Sequence, residues 1–398
     1  MQPSQAAHAR SEGVTELTAD IGVICTGGQT VPAGARVPAY TITVTLNTPL
    51  TSRVVNYDLS EALLIVDEAY PGQPNPTSGV RWPGSGSPQN LCRATGPNAC
   101  PMIGTGLASG APGGDYDGTA GHYNVFEGVA SAFNSVSFLG VSIDAPGSFP
   151  LYLRITNLRA NASQLLLPPF TSAEIAAFVT GLPGSSGDSV TVGLTERSLL
   201  LTQTPPVPVS GASNTTLSFT FSEGVNFPSA FKTATDFKNA GPQNVPGFAY
   251  NSESGLWDKV GPPAGISFLG LANHGTRLML HFSGYPPGVN IVAPAAAYLV
   301  APVGQGTRAT GAAMYVAADS NGNSQGGPTP ASSKSVTVST DSQGAAWLTY
   351  EVVGSAPAVV ESLTIPITIE SLATGVVTGS YGPLLSSGAA PIPRFVLQ

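Results

Sequence analysis

The chain has 398 residues, a net charge of -8 and only 10% charged residues, but 47 glycines and 36 prolines. Its 42% hydrophobic content excludes a disordered chain, and its 15 basic residues form no run that could follow a nucleic-acid backbone. No stretch reaches the roughly 18 apolar residues that a membrane helix needs. We therefore expect a folded chain with many turns, with no nucleic-acid partner and no membrane span.

The N-terminal residues carry one feature of exported proteins. Ala7-His8-Ala9 has the small-x-small form of a signal-peptidase site, although no apolar stretch precedes it. One interpretation is a signal peptide shortened by a misplaced start. The alternative is a flexible arm with a chance match.

Strand patterns follow along most of the chain, because alternating or β-branched and aromatic residues recur between turn clusters. The clearest such runs are 41–46, 151–155, 217–221, 277–282, 335–338 and 346–352. Two short helices are predicted, at 172–180 with Ser172 as N-cap and at 228–237. The predicted fold is all-β, with tandem antiparallel β-sandwich domains of immunoglobulin-like or jelly-roll-like type, long Gly/Pro-rich loops and one or two short helices.

Closely spaced prolines at 205, 206 and 208 predict a domain boundary, because they favour an extended linker. We expect an N-terminal arm over 1–16 and a first sandwich over 17–204, which contains a long loop at 70–121. A second sandwich covers 209–398, and a further division near 286 stays open.

The cysteine spacing favours one disulfide. Cys92 and Cys100 lie in a turn-rich loop with seven residues between them, so a bond between them would fit an oxidising, extracellular compartment. Cys25 is left over. It is either a buried thiol or the partner of a cysteine lost with a missing N-terminal segment.

Several motifs are similar to those of a group of secreted bacterial β-rich proteins with no known activity. They are Arg10 to Leu17 (RSEGVTEL), Cys25 to Gly28 (CTGG), Arg154 to Ala162 (RITNLRANA), Tyr250 to Gly255 (YNSESG), His274 to Arg277 (HGTR) and Ile392 to Phe395 (IPRF). The resemblance extends over nearly the whole chain and implies secretion, but it implies no activity. Members of the group have an additional upstream cysteine that this sequence lacks.

No local catalytic signature is present, so the sequence predicts neither an enzyme nor a cofactor. Two stretches have oxygen ligands at spacings that Ca²⁺ can use. These are Asp319, Asn321 and Asn323 in one loop, and Asp115 with Asp117 in another. In both cases the favoured alternative is an Asx-type turn, in which the side chain bonds to its own backbone.

Buried charge requires a partner, so the arginines of the RITNLRANA motif are expected to form an ion pair. Arg154 or Arg159 would then contact a carboxylate such as Asp144 or Glu61. The acidic residues beside the strand at 62–66 are interpreted as charges at strand ends rather than as a glycosidase pair.

Trp82 and Tyr116 lie in the 70–121 loop and Tyr123 lies just after it, and all three are near glycine, proline or asparagine. Aromatic side chains in such positions either stack on sugars or anchor the loop.

Two functions from different classes remain. The first is an extracellular structural protein that self-associates into a filament or coat through β-strand exchange or edge pairing, because only four lysines defend its strand edges. The residues predicted for assembly are Arg10, Val14, Leu17, Ile392, Phe395 and Leu397. The alternative is a monomeric surface adhesin or carbohydrate-binding module that uses the 70–121 loop to bind glycans.

Overall fold

The computed structural model describes residues 2–3, 6–56, 59–67, 89–93, 96–107, 113–165, 172–235, 245–254, 272, 274–303, 306–317, 328, 334–357 and 359–382. These residues divide into two compact units. The first contains the described residues up to Glu196 together with Pro246–Phe248, and the second contains the other described residues from Arg197 onward.

Strands make up 53% of the chain and helical turns 1%, so the predicted all-β fold class is confirmed. The sheets form half-barrel and near-barrel, sandwich-like arrangements. No helical segment among the described residues is long and apolar enough to cross a membrane.

The first unit is built on one large sheet. Its strands and those of a small second sheet are β1 (Gln2–Pro3), β2 (Ala7–Arg10), β3 (Glu16–Leu17), β4 (Ile21–Gly27), β5 (Ala39–Leu46), β6 (Val54–Asn56), β7 (Leu59–Val66), β8 (Leu91–Cys92), β9 (Val125–Ala132), β10 (Ser135–Ser142), β11 (Gly147–Thr156), β12 (Arg159–Ala160), β13 (Ala173–Thr180) and β14 (Asp188–Glu196). The large sheet has the order β1-β4-β11-β7-β9-β10-β5-β13-β14-β2, and β12 pairs with β3. The pairs β14–β2 and β8–β9 are parallel, whereas the others in this order are antiparallel.

The second unit contains one sheet. Its strands are β15 (Leu199–Gln203), β16 (Val207–Pro208), β17 (Thr215–Glu223), β18 (Arg277–Ser283), β19 (Asn290–Pro294), β20 (Ala296–Val303), β21 (Gly306–Val316), β22 (Ser335–Ser339), β23 (Ala346–Gly354), β24 (Ser362–Ile369) and β25 (Val376–Gly382). Its main order is β15-β17-β24-β20-β21-β23-β18-β25, with β19 and β22 branching from β24. The sheet continues across residue 286.

The two units have separate hydrophobic cores. Phe126 and Phe138 lie in the first core, and Phe221 and Phe282 lie in the second; all four side chains are fully buried. Each core forms because alternate residues of a strand point to the same side of the sheet.

The helix predicted at 172–180 is wrong, because this segment is strand β13. Its Ile175, Ala177 and Val179 are fully buried, whereas Phe178 between them is 45% exposed. The apolar residues therefore follow a period of two, and pairing with β5 and β14 decides the structure. The single helical segment in the described residues is a 3₁₀ turn, Ala162–Gln164.

The helix predicted at 228–237 is also wrong in its described part, where residues 228–235 form turns and irregular chain. Phe227, Ala230 and Phe231 are buried in the second core. These residues are three and four positions apart, as in a helix, but a compact turn is what brings both phenylalanines into the core.

The boundary between the units follows Glu196, eight residues before the predicted linker begins at Pro205. The reason is that β15, which precedes the prolines, pairs with β17 along its whole length. Pro208 lies in β16, which also pairs with β17.

Two phenylalanines near the turn between β9 and β10 allow a test of the first core. Phe138 is fully buried, whereas Phe133 is 56% exposed. We expect Phe138→Ala to lower the free energy of unfolding by about 3 to 5 kcal/mol, because it leaves a cavity. The matched change Phe133→Ala should cost less than about 1 kcal/mol. Urea unfolding of both variants measures the difference, and equal losses would contradict this core.

Candidate functional site

The loop that carries the predicted disulfide is fixed to the first unit. Cys92 and Cys100 are bonded, with their Cα atoms 6.0 Å apart, so the predicted pairing is confirmed. Cys92 lies on β8 opposite Phe126 of β9. Met102 follows the bridge and is fully buried in the core. The disulfide therefore closes a loop whose two ends are both packed on the sheet.

Tyr116 anchors the loop from inside the unit. Its side chain is 2% exposed, its hydroxyl donates to the backbone oxygen of Ser142, and the hydroxyl accepts from the backbone N–H of Asp144 at 2.7 Å. In this position the ring offers no free face for a sugar. Tyr123 is partly buried against the same core, and Trp82 lies outside the described residues.

Asp115 and Asp144 form a pair of buried carboxyl groups beside Tyr116. Asp115 accepts hydrogen bonds from the N–H and hydroxyl of Thr105, and Asp144 accepts one from the N–H of Val31. Burial raises the pKa of Asp144 to about 6, and its contact with Asp115 also raises it. Asp144 thus attaches the segment at Val31 to the chain after β10, and Asp115 joins two parts of the loop.

Asp117 forms a closed turn. One of its carboxylate oxygens, Oδ1, accepts from the N–H and hydroxyl of Thr119, and His122 Nδ1 lies 2.9 Å from the same atom. Burial acts to raise the pKa of Asp117, but these hydrogen bonds outweigh it and the pKa is lowered. The geometry is that of an Asx-type turn.

The described residues contain no group of three or more His, Cys, Asp or Glu side chains that could hold a metal ion. Asp115 and Asp117 each use Oδ1 for hydrogen bonds to protein groups. The other Ca²⁺ candidates, Asp319, Asn321 and Asn323, lie outside the described residues.

A cavity of about 280 Å³ lies at the end of β4. Cys25, Tyr40, Ile143, Pro146 and Gly184 are among the residues that line it. Cys25 is a free, half-buried cysteine, and burial followed by the charge of Asp67 raises the pKa of its thiol. The raised pKa disfavours the nucleophilic thiolate.

The predicted N-terminal arm is part of the first unit's own sheets. Arg10 lies on β2 and is 2% exposed, Val14 is 4% exposed, and Leu17 pairs with Arg159 across β3 and β12. Arg10 Nε donates to Glu16 Oε1 at 2.9 Å. Ile392, Phe395 and Leu397, the C-terminal residues predicted for assembly, lie outside the described residues.

Gly13 allows the arm's ion pair to form. A Cβ atom at this position would lie 2.2 Å from Glu16 Oε1, so any larger residue would displace the carboxylate. The RSEGVTEL motif is therefore a structural unit, in which the glycine makes room for the glutamate that binds the arginine.

The expected ion pair of the RITNLRANA motif is confirmed between Arg159 and Glu61. Arg159 Nε donates to Glu61 Oε1 at 2.8 Å, and both side chains are 0% exposed. Arg159 also donates to the backbone oxygen of Phe248. Arg154 instead pairs with Asp20 at 2.9 Å, an acidic residue that sequence reasoning did not single out.

Asn157 makes the turn that brings Arg159 to Glu61. Its backbone has a φ of 62°, a left-handed conformation that asparagine tolerates better than most residues. Its side-chain amide donates to the backbone oxygen of Glu61. Asn157 therefore stabilises the turn through its backbone and holds the turn to β7 through its side chain.

The ends of the two large sheets differ in charge. In the first unit, β1 contains a proline, and β2 contains Arg10 and His8, whose Nδ1 lies 3.4 Å from Glu196. In the second unit, the described outer strands β15, β16, β22 and β25 contain no Asp, Glu, Lys or Arg, and β16 contains Pro208. Among the strands that the structure describes, each of them pairs with one other strand. Sequence reasoning missed these edges because strand order is not visible in the sequence.

No protein-family model matches this chain, and no curated protein matches its sequence. The resemblance inferred from the sequence motifs stays a prediction.

Replacing Arg159 tests whether the buried ion pair is essential. We expect Arg159→Met to lower the free energy of unfolding by about 3 to 5 kcal/mol, because the change removes the guanidinium bonds to Glu61 and Phe248 inside the unit. Glu196→Gln, which weakens the half-exposed contact with His8, is the control and should cost less than about 1 kcal/mol. Urea unfolding measures both values, and a loss for Arg159→Met as small as the control's would refute the role.

Proposed function

We propose that this protein is an extracellular structural protein whose copies assemble into a filament or coat through pairing of strand edges. The observation that carries the proposal is the absence of charge from β15, β22 and β25, three of the described outer strands of the second unit. Soluble monomers usually defend such edges with lysine, proline or bulges, because unpaired backbone groups bind other strands.

The side chains on these edges support the same function. Leu200 on β15 is 61% exposed and Val376 on β25 is 62% exposed. On β22, the residues alternate between exposed and half-buried along the sequence SVTVS. These β-branched and apolar side chains would pack against a strand added from a second copy.

The edges of β15 and β25 approach each other. A Cβ atom at Gly379 on β25 would lie 2.1 Å from Cδ2 of Leu201 on β15, so the leucine side chain lies directly on the glycine. The side chain of Leu201 thus covers the space between the edges of β15 and β25. No such cover lies over the outer side of β22 among the strands that the structure describes, which supports β22 as the main pairing edge.

The position of the N-terminal arm supports edge pairing more than strand exchange. An exchanged strand must leave its own sheet, and Arg10 and Glu16 hold this arm in place through a buried ion pair. The Cys92–Cys100 disulfide supports an extracellular location, because such bonds persist in oxidising compartments.

Lysine substitutions on the edges test the proposal. We expect Thr337→Lys on β22, and Leu200→Lys or Val376→Lys on the other edges, to reduce assembly at least tenfold, because a buried lysine opposes pairing. Val225→Lys is the matched control, since Val225 is 86% exposed in a turn outside the strands. Light scattering over a hundredfold range of concentration, with negative-stain electron microscopy, measures assembly. A strictly monomeric wild-type protein, or three lysine variants that assemble like the control, would refute the proposal.

The second candidate is a surface adhesin, and exposed apolar residues beside the disulfide favour it. Ile103 is 51% exposed and Leu107 is 44% exposed on the 96–107 segment. In this case Ile103→Asp should remove retention on cell-wall or glycan-coated surfaces without changing the particle mass. Unchanged retention would exclude this contact.

A further inference from the structure

Five of the buried acidic side chains in the described part of the chain pair with arginine. The pairs are Glu16 with Arg10, Glu61 with Arg159, Asp20 with Arg154, Glu127 with Arg93 and Glu351 with Arg277. Glu223 and Glu361 are 5% and 1% exposed, yet neither forms a salt bridge with a Lys, Arg or His in the described part of the chain. A buried carboxylate without a cation is costly, so this pair must be stabilised in another way.

Glu223 and Glu361 lie side by side on neighbouring strands. Glu223 is the last residue of β17, and Glu361 directly precedes β24, the antiparallel partner of β17. The N–H of Glu361 donates to Glu223 Oε2 at 2.8 Å, and the N–H of Glu223 donates to the backbone oxygen of Glu361 at 2.9 Å. Two negative charges in this arrangement would repel each other.

Each carboxyl group fastens a connecting segment to the sheet. Glu223 Oε1 accepts from the N–H of Phe231 at 2.9 Å, which ties down the turn at 224–231. Glu361 Oε2 accepts from the N–H of Ala356 at 3.0 Å, which ties down the chain after β23. The hydroxyl of Ser355 donates to the backbone oxygen of Phe231 and joins the two segments. We call these two carboxyl groups and two segments the acid corner.

The surroundings of the acid corner favour a bound proton. Burial raises the pKa of Glu223 to about 7, and the charge of Glu361 also raises it, although amide hydrogen bonds oppose the shift. Burial likewise raises the pKa of Glu361. The hydroxyl of Thr310 on β21 faces Glu361 but makes no hydrogen bond of ordinary geometry.

The nearest basic residues along the chain do not neutralise the pair. Arg197, before β15, is exposed, and it forms no ion pair with either carboxyl group. Lys232 follows Phe231, but its ammonium group donates to the backbone oxygen of Tyr250. Among the residues that the structure describes, no cation therefore forms an ion pair with the carboxyl groups at 223 and 361.

We propose that Glu223 and Glu361 form a pH-sensitive latch, which holds the turn at 224–231 and the segment at 355–357 while Glu223 is protonated and loosens them when that proton is lost. The latch belongs to the second unit alone and does not depend on the proposed assembly.

The direction of the pH dependence follows from the two states of Glu223. In the unfolded chain, glutamate has a pKa of about 4.3, below the value in the folded unit. The folded state therefore binds the proton more tightly, and its stabilisation is fully present below about pH 4. It is lost as the pH rises through about 7.

Hydrogen-exchange mass spectrometry of the full chain tests the latch at pH 5, 6, 7 and 8. After correction for the intrinsic effect of pH, protection of peptides from 224–235 and 346–357 should fall by up to about tenfold for each pH unit between 5 and 7. Peptides from the first unit's β13 provide an internal reference. Equal protection of the latch peptides at pH 5 and pH 8 would overturn the proposal.

Glu361→Gln separates the latch from a general effect of pH. Its amide oxygen can accept from the N–H of Ala356, and the change removes the charge of Glu361 but not the burial of Glu223, so the fall in protection between pH 5 and pH 8 should be smaller than in the wild type. Glu370→Gln, at an exposed position after β24, is the matched control and should behave like the wild type. Glu223→Gln, which cannot ionise, provides a second variant if Glu361→Gln does not fold. A folded variant of either residue with wild-type pH dependence would also overturn the proposal.

Discussion

The buried ion pair of Arg159 and Glu61 is the interaction on which the first unit depends most. Both side chains are fully excluded from solvent, so removing either one would leave the other charge buried without its partner. The ion pair constrains the positions of two strands, because Glu61 lies on β7 and Arg159 lies on β12. Asn157 makes the turn between β11 and β12 that allows the two side chains to meet. β12 in turn pairs with β3, which connects the pair to the N-terminal arm. The RITNLRANA motif is therefore explained by folding requirements.

The two units differ in the charged residues on their outer strands. In the first unit, the outer strand β2 carries His8 and Arg10, of which Arg10 forms a buried ion pair with Glu16, and the outer strand β1 contains a proline. The second unit places Arg277 and Glu351 inside and leaves its described outer strands uncharged. A monomer gains nothing from edges that attract other strands, whereas a subunit of an assembly uses them. This contrast supports self-association through the second unit.

The sequence predicts features that depend on nearby residues and misses those that depend on distant ones. The alternation of apolar and polar residues predicts most of the strands, and the short spacing between Cys92 and Cys100 predicts their disulfide. Because a buried arginine needs an acid, the sequence predicts an ion pair for Arg154 or Arg159 with Asp144 or Glu61 as candidates, but it does not predict which arginine pairs with Glu61. The 172–180 segment was misread because Ile175, Phe178 and Val179 also fit a helix, and the choice was made by β5 and β14, which lie far away in the chain. The parallel pairing of β2 with β14, the burial of Tyr116 and the meeting of Glu223 with Glu361 have no local signal for the same reason.

The two carboxyl pairs without arginine share a structural task. Asp115 with Asp144, and Glu223 with Glu361, all accept hydrogen bonds from backbone N–H groups, and those of Thr105, Val31, Phe231 and Ala356 lie outside the strands. Such groups cannot stay unpaired when buried, and a protein rich in turns has many of them. A carboxyl group satisfies two at once, but a second carboxyl group beside it raises the free energy of the doubly charged state. The need to attach long connections in a chain with few cations therefore leads to proton binding near neutral pH, so the solution pH becomes part of what holds these loops.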